Sequence, residues 1–466
     1  MTDATTGSNS ASNTFADKSL STSVAHNEIP AMLEIVTEVA ERLREPKQVA
    51  YIATSPDNTD KLDGIPPHSP WEPLSLAEGF PGIAVLHAEL GLNNPASREH
   101  AHTYISASAP FLSDHRKVRS GLHIGPAALA FAVHSAVQDE NDYANLLKQL
   151  DNYVVARSKM LLLSEAERLK TGSLATASSR FDIISGLSGL GRYLLSRTPR
   201  HRAQLEEILQ YFVRFSSVIQ IEDSYVPGWA VNGAPGIHAP ENCEGHLAFG
   251  MAHGVAGPLA LLSIAQLGGV VVQGIAEAAT RMADWLVSWQ QDDSAGPYWP
   301  ASITLSEQIK QRLERVPTPL HSWCWGSPGI ARTLYLAGKA FDSSQYTRLG
   351  MSAFRAALIR DESVNDTPLD DTGLCHGRAG LLHSTQLMVD DTRDPYFENR
   401  LHQMAGEIVQ QYRPEAPFGF SLPGSSQFAQ NRAGFSEGAA GTALAIHSYL
   451  RGSSSKNSWN SALLLA

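Results

Sequence analysis

The sequence predicts an all-α protein built as an α/α toroid, a ring of seven buried inner helices wrapped by seven amphipathic outer ones. Three observations carry that expectation. Seven short turns of the form G-x-x-G, one of them a departure from it, each open an apolar stretch with helical spacing, such as Leu259, Leu261, Leu262 and Ile264 after the fourth turn. Seven longer, more charged segments with one apolar face alternate with those stretches. The connections are also asymmetric. They are short from apolar to amphipathic segment, as between Ala340 and Ser343, and long in the other direction, so the long loops end at glycine turns on one face of the ring. An open solenoid of the same units is the alternative.

In chain order the turns are Glu78-Gly79-Phe80-Pro81-Gly82, Leu122-His123-Ile124-Gly125, Ser185-Gly186-Leu187-Ser188-Gly189, Ala252-His253-Gly254-Val255-Ala256-Gly257, Trp323-Cys324-Trp325-Gly326-Ser327-Pro328-Gly329, Cys375-His376-Gly377-Arg378-Ala379-Gly380 and Glu437-Gly438-Ala439-Ala440-Gly441. In the second, Leu122 stands where the first glycine is expected. Glycine suits a tight turn and close helix packing, where a Cβ would collide. The amphipathic segments cover about 28–46, 98–114, 140–161, 200–219, 274–290, 343–360 and 397–413. Long loops over about 220–250, 291–323 and 361–374 are rich in Gly, Pro and aromatics, and loops held by a rigid scaffold are where binding and catalysis concentrate. Leu305 to Arg315 reads as an extra helix, and a small β-rich insertion in the early repeats is possible but not readable.

A chain of 466 residues, 43% hydrophobic and 18% charged, can bury a large core, and the repeats allow one domain over 28–466. Residues 1–27, rich in Ser, Thr and Asn, read as a disordered tail without the basic start and apolar core of a signal peptide. The net charge of -11, with no run of Lys and Arg, disfavours a nucleic-acid partner. No window reaches the roughly 18 apolar residues of a membrane span. With only Cys243, Cys324 and Cys375, a disulfide framework is not expected, and the reading is a reducing, cytoplasmic setting in which Cys243 is a free thiol without a role.

Two of those cysteines lie in the turns. Cys324 is two residues before the first glycine of the fifth turn, and Cys375 and His376 lie two and one before that of the sixth, so adjacent hairpins bring three donors to one point on the rim. Two thiolates and an imidazole suit Zn²⁺, and three protein ligands leave a fourth tetrahedral position for substrate. A lone buried Cys is ordinarily a packing residue, but the matching offsets in neighbouring repeats favour a metal site. His253 holds the offset of His376 in an earlier hairpin, as a fourth ligand, an acid or base, or a capping residue. Asp182, four residues before Gly186, either orients that histidine or caps a helix. Glu78 and Glu437 are read as carboxylates serving helix starts.

The set A-H-G-x-x-G, W-C-x-G-x-P-G and C-H-G on a sevenfold glycine-turn repeat resembles the lanthipeptide cyclases of the lanthionine synthetase C-like family, over about Ile29 to Arg451. The resemblance implies zinc held by Cys324, Cys375 and His376, with His253 and Asp182 at further catalytic positions. It also implies a reaction in which a cysteine thiol of a dehydrated precursor peptide adds to dehydroalanine or dehydrobutyrine of the same peptide, closing a thioether ring. A lanthipeptide dehydratase and a peptide exporter are the partners it suggests. Many members carry an arginine shortly before the W-C motif. This chain has Pro319-Leu320-His321-Ser322 there, with the nearest arginine at Arg315, and His321 is a possible substitute.

Three rival readings exist. Relatives of these cyclases add glutathione to dehydrated proteins by the same chemistry. An α/α-toroid glycosidase needs two carboxylates, for which Asp182 with Glu78 or Asp371 could be enlisted, leaving the Cys-Cys-His set unexplained. Asp390-Asp391-Thr392-Arg393-Asp394 spells the D-D-x-x-D pattern of Mg²⁺-diphosphate sites, but it follows the sixth inner helix, opposite the rim, and reads as a charged turn.

Overall fold

The stretches after the glycine turns carry too little polar surface for any face to meet water, and they become helices buried all round. In the computed structural model, which describes residues 17–59, 69–117, 120–175, 177–234, 244–363, 371–421, 430–452 and 459–466, these inner helices are α3 (Phe80–Leu90), α5 (Pro126–Ser135), α7 (Leu187–Ser196), α9 (Ala256–Leu267), α12 (Ser327–Ala340), α14 (Arg378–Thr392) and α16 (Ala439–Arg451). The outer helices are α1 (Asp17–Arg42), α4 (Pro95–Ser108), α6 (Ala144–Thr171), α8 (Arg202–Phe215), α10 (Ile275–Ser288), α13 (Ser344–Ser363) and α15 (Pro395–Gln410). Two short helices, α2 (Pro46–Ala53) and α11 (Leu305–Lys310), lie in connections.

Each inner helix packs on the outer helix that follows it, and the last, α16, packs on α1 and α3. The ring is therefore closed, an α/α toroid rather than a solenoid. The two helix types differ in burial as the sequence requires. Leu259, Leu261 and Leu262 of α9 face different directions and are all fully buried, whereas α8 buries Leu205, Ile208, Leu209 and Phe212 on one side and leaves the Arg202–Glu206 pair exposed. Each such apolar side chain contributes about 1.5–3 kcal/mol, against about 0.3–0.5 kcal/mol for an i,i+4 ion pair. Burial orders the outer helices.

The turns are joined into a circle by main-chain hydrogen bonds, each amide donating to the next turn. Leu76 donates to His123 (2.9 Å), His123 to Ile184 (3.1 Å), Ile183 to Ala252 (3.2 Å), Ala252 to Cys324 (3.0 Å), Cys324 to Cys375 (3.4 Å), Cys375 to Ser436 (2.8 Å) and Ser436 back to Ala77 (3.2 Å). Glycine enables this tight winding. A Cβ on Gly380 would stand 2.0 Å from the Leu374 carbonyl oxygen, a clash inside the turn itself.

Three expectations are adjusted. In the second turn Gly125 caps α5 as Gly79 and Gly377 cap α3 and α14, so the glycine replaced is the second one, by Ala128, and not the first by Leu122. The β-structure lies not in the early repeats but in the loops entering the fourth and fifth turns. It comprises the hairpin β1 (Val218–Ile221) and β2 (Ser224–Pro227), a sheet ordered β3 (Val231–Asn232), β4 (Gly245–Ala248), β7 (Ser302–Thr304), and the hairpin β5 (Gln291–Asp293) and β6 (Gly296–Tyr298). Tyrosine, valine and isoleucine in those loops are the strand formers. The β4–β7 pairing ties the two long loops together. The tail expected over 1–27 falls outside the described residues up to residue 16, and α1 begins at Asp17; Cys243 is also outside them.

Trp459 to Leu465 is buried and fills the middle of the ring. Residues of five repeats reach it: His123 Nε2 pairs with the Ala462 carbonyl at 3.0 Å, Arg192 donates to Ala466, Trp323 Nε1 to Leu463 (3.0 Å) and Arg332 to Leu465 (2.9 Å), and the rings of His383 and Phe435 pack on Trp459. This segment is the floor beneath the turns.

Candidate metal centre

The Cys324–Cys375 main-chain bond carries two thiols to neighbouring positions, and His376 follows the second. One donor atom each from Cys324, Cys375 and His376 lies within 4.8 Å of the others, the expected trio and the full membership of this cluster among the described residues. Cys324 is buried, Cys375 half-buried, and the His376 side chain is 46% exposed, so the cluster is open on the rim side. Both cysteines are free thiols. Burial works against a Cys324 thiolate, yet hydrogen bonds to Cys375, His376 and Ser322 outweigh it and hold this thiol well below the usual range. Cys375, hydrogen-bonded to that thiolate and partly shielded from water, is held well above it. Burial also opposes charge on His376, but Asp371, Cys324 and Glu437 outweigh it and push its pKa up to about 11. A pocket that gathers this much charge separation is suited to a cation. Its two sulfurs and one nitrogen fit Zn²⁺, with room for an exogenous fourth ligand.

His253 stands outside the trio, one turn away. Its Nδ1 donates to Asp182 Oδ2 at 2.8 Å, while Asp182 Oδ1 accepts from the amides of Ser185 (2.8 Å) and Gly186 (2.9 Å). Asp182 thus both caps its turn and orients the histidine. Since a carboxylate only accepts here, the hydrogen is on Nδ1, and Nε2 is the nitrogen that this pair does not use. Burial lowers the His253 pKa, but the hydrogen bond and charge of Asp182, with Cys324, raise it on balance. Its ring lies 5.2 Å from that of Trp325.

Trp325 has no role in the sequence reading, although it shares with His253, His376 and Glu437 the offset just before the first glycine; that shared offset is the signal for it. Glu78 and Glu437, directly before the N-caps of α3 and α16, both turn to Arg432, which donates to Glu78 Oε1 at 2.6 Å and also to Glu437 Oε2. His321 does not join the cluster. It is buried against α13, where the Ala357 carbonyl accepts from it and burial lowers its pKa. The D-D-x-x-D residues do not follow the sixth inner helix as a separate turn but end α14 and cap α15, with Asp391 paired to Arg332 (2.6 Å), Asp390 accepting from Gln386, and Asp394 capping α15 and paired to Arg355.

Comparison with known proteins follows this geometry. The chain is 22% identical over 356 residues to the nisin biosynthesis protein NisC of Lactococcus lactis subsp. lactis, covering 74% of this chain and 82% of that protein. It superposes on a solved structure of nisin cyclase with a TM-score of 0.70 at 20% identity, covering 94% of this chain and 98% of the other. The family described as lanthionine synthetase C-like protein matches residues 70–464, the span that holds the turns, the thiol–imidazole cluster and the floor, and this protein belongs to that family.

Proposed function

We propose that this protein is a zinc-dependent cyclase that closes thioether rings in a dehydrated precursor peptide. One observation carries the reading: Cys324, Cys375 and His376 meet within 4.8 Å on the rim where His253 is held by Asp182, so a metal-binding trio and an oriented acid occupy adjoining turns. Cys324, Cys375 and His376 would hold the zinc, which would supply a Lewis acid that lowers the pKa of a substrate thiol. The rest falls to the chain's own side chains. The sulfur bonds to the β carbon of dehydroalanine or dehydrobutyrine, the double-bond electrons move to the α carbon, and His253 Nε2 delivers a proton there. Asp182 stabilises the imidazolium before transfer and fixes the direction of Nε2. One S–H and the C=C π bond are lost and one C–S and one C–H are gained; the thiol proton leaves to solvent, solvent reprotonates His253, and no redox partner is needed. Trp325 beside His253 limits water at the proton donor.

A dehydratase would supply the substrate and an exporter would remove the product, with the work done in the cytoplasm. Consistent with this, no described helix is long and apolar enough to cross a membrane. The test incubates dehydrated precursor peptide with the protein, then alkylates free cysteines and reads the mass. Cyclisation protects those thiols; equal alkylation with and without the protein sinks the reading. If glutathione is added and its mass appears on the peptide instead, the enzyme is an adduct-forming relative.

A further inference from the structure

His376 has one nitrogen to give a metal and one left over, and a carboxylate stands near each. Asp371 Oδ2 lies 3.7 Å from Nδ1, and Glu437 Oε1 lies 3.8 Å from Nε2. A ligating imidazole characteristically gives its second N–H to a carboxylate, carbonyl or water, which fixes the ring and raises its donor strength. The two candidates are not equivalent. The sixth turn sits between the fifth, which brings Cys324, and the seventh, which brings Glu437. The two carboxylates thus reach His376 from different turns, Asp371 from its own and Glu437 from the one beyond.

Asp371 is also occupied with its own turn: Oδ1 accepts from the Gly373 amide at 2.6 Å, and its carbonyl accepts from the Arg378 amide at 2.9 Å. Glu437 is supported from behind. Its other oxygen accepts from Arg432, a side chain only 10% exposed, which also donates to Glu78 at 2.6 Å. Charge-assisted bonds of this kind are the strong ones. The series His376, Glu437, Arg432, Glu78 crosses the junction of the last repeat with the first. Asn58 and Asn431 brace the same junction, exchanging hydrogen bonds at 2.9 and 2.8 Å.

We propose that Glu437 is the positioning carboxylate of the metal centre: it takes the Nε2 hydrogen of His376, and Arg432, fixed by Glu78, holds it in place. Metal retention is thereby tied to closure of the ring. The inference rests on the zinc reading above, but concerns affinity rather than chemistry.

The test measures zinc affinity of the full-length protein by competition with a chromophoric chelator, alongside thermal unfolding of the metal-stripped forms. Glu437→Gln is expected to bind zinc about 10–100-fold more weakly, with Asp371→Asn changed by less than about threefold. Glu78→Gln, which leaves the ligand-bearing turn intact and serves if Glu437→Gln misfolds, should shift affinity the same way by a smaller factor. Wild-type affinity in Glu437→Gln, with zinc lost in Cys324→Ala, overturns this inference and leaves the zinc reading standing. Weakening confined to Asp371→Asn makes Asp371 the partner and also overturns it. A wild-type protein that takes up no zinc overturns both.

Discussion

The amide of Cys324 donates to the carbonyl of Cys375 at 3.4 Å, and this one main-chain bond sets two thiols from repeats about fifty residues apart beside each other. It belongs to the circle of turn-to-turn bonds, so the backbone fixes the placement before any ligand is bound. The same circle puts Ala252 on Cys324, and with it His253 next to the trio. The scaffold therefore preorganises the Cys324, Cys375, His376 trio and His253 together, as a site held to within fractions of an ångström requires.

Removal of one thiol should accordingly abolish metal binding without opening the ring. Cys324→Ala is expected to lose its zinc by elemental analysis, yet to melt within about 1 kcal/mol of metal-stripped wild type, the cost of trimming a small buried side chain. Zinc retained in both Cys324→Ala and Cys375→Ala refutes the site. A much larger loss of stability would mean that the cysteines pack the core first.

The His253–Asp182 pair makes a pH-dependent prediction. The folded pKa of His253 is raised, so the pair's contribution to stability is fully present below the unfolded histidine value of about 6.5 and fades as pH rises through the higher folded value. Asp182→Asn, whose amide oxygen can still cap Ser185, should cost most stability in mildly acid solution and progressively less in alkali. With His253 as the proposed proton donor, the alkaline limb of ring formation should move to lower pH in Asp182→Asn. An unmoved limb with a slower rate would assign Asp182 to structure alone. His253→Ala should slow ring formation by about 10²–10⁴-fold with zinc retained.

The toroid and the trio were legible because both are written at fixed offsets from glycine. Helix burial shows in composition, and Cys324 and Cys375 align once the turns are superposed. What escaped the sequence depends on contacts between distant segments. Glu437 looks like any acid before a helix until the ring closes and Arg432 is found between it and Glu78. The missing glycine of the second turn was misassigned because Leu122 and Ala128 both fit a four-residue spacing, and only the cap of α5 decides between them. The short strands were not readable because pairings of two to four residues carry almost no periodic signal. The floor segment, Trp459 to Leu465, reads as an apolar end with no hint that it enters the ring.

That floor should matter to stability and to the site above it. Trp459 is fully buried against His383 and Phe435, and its replacement by alanine should cost about 3–5 kcal/mol. Because Trp323, next to Cys324, donates to the Leu463 carbonyl, loosening the floor should also weaken zinc binding in the folded fraction. Chemical denaturation with parallel chelator competition reads both. Loss of stability with unchanged metal affinity would separate the floor from the site.

The glycine turns permit the sharpest internal comparison. A Cβ at Gly380 would sit 2.0 Å from the Leu374 carbonyl oxygen, whereas one at Gly257 would sit 2.9 Å from that of Met251, and the second turn already carries Ala128 at the corresponding place. The carbonyl at Leu374 can yield only by moving the backbone, and the next residue along that backbone is Cys375. Gly380→Ala should therefore displace a metal donor as well as strain the turn, at a cost above the about 1–3 kcal/mol of ordinary overpacking. Gly257→Ala must move the Met251 carbonyl as well as Ile183, but far less than Gly380→Ala must move that of Leu374, and should stay within that range with zinc content intact. Equal losses of stability and zinc in the two variants would show that the second glycine is needed for the general fold of every turn and not for the placement of Cys375.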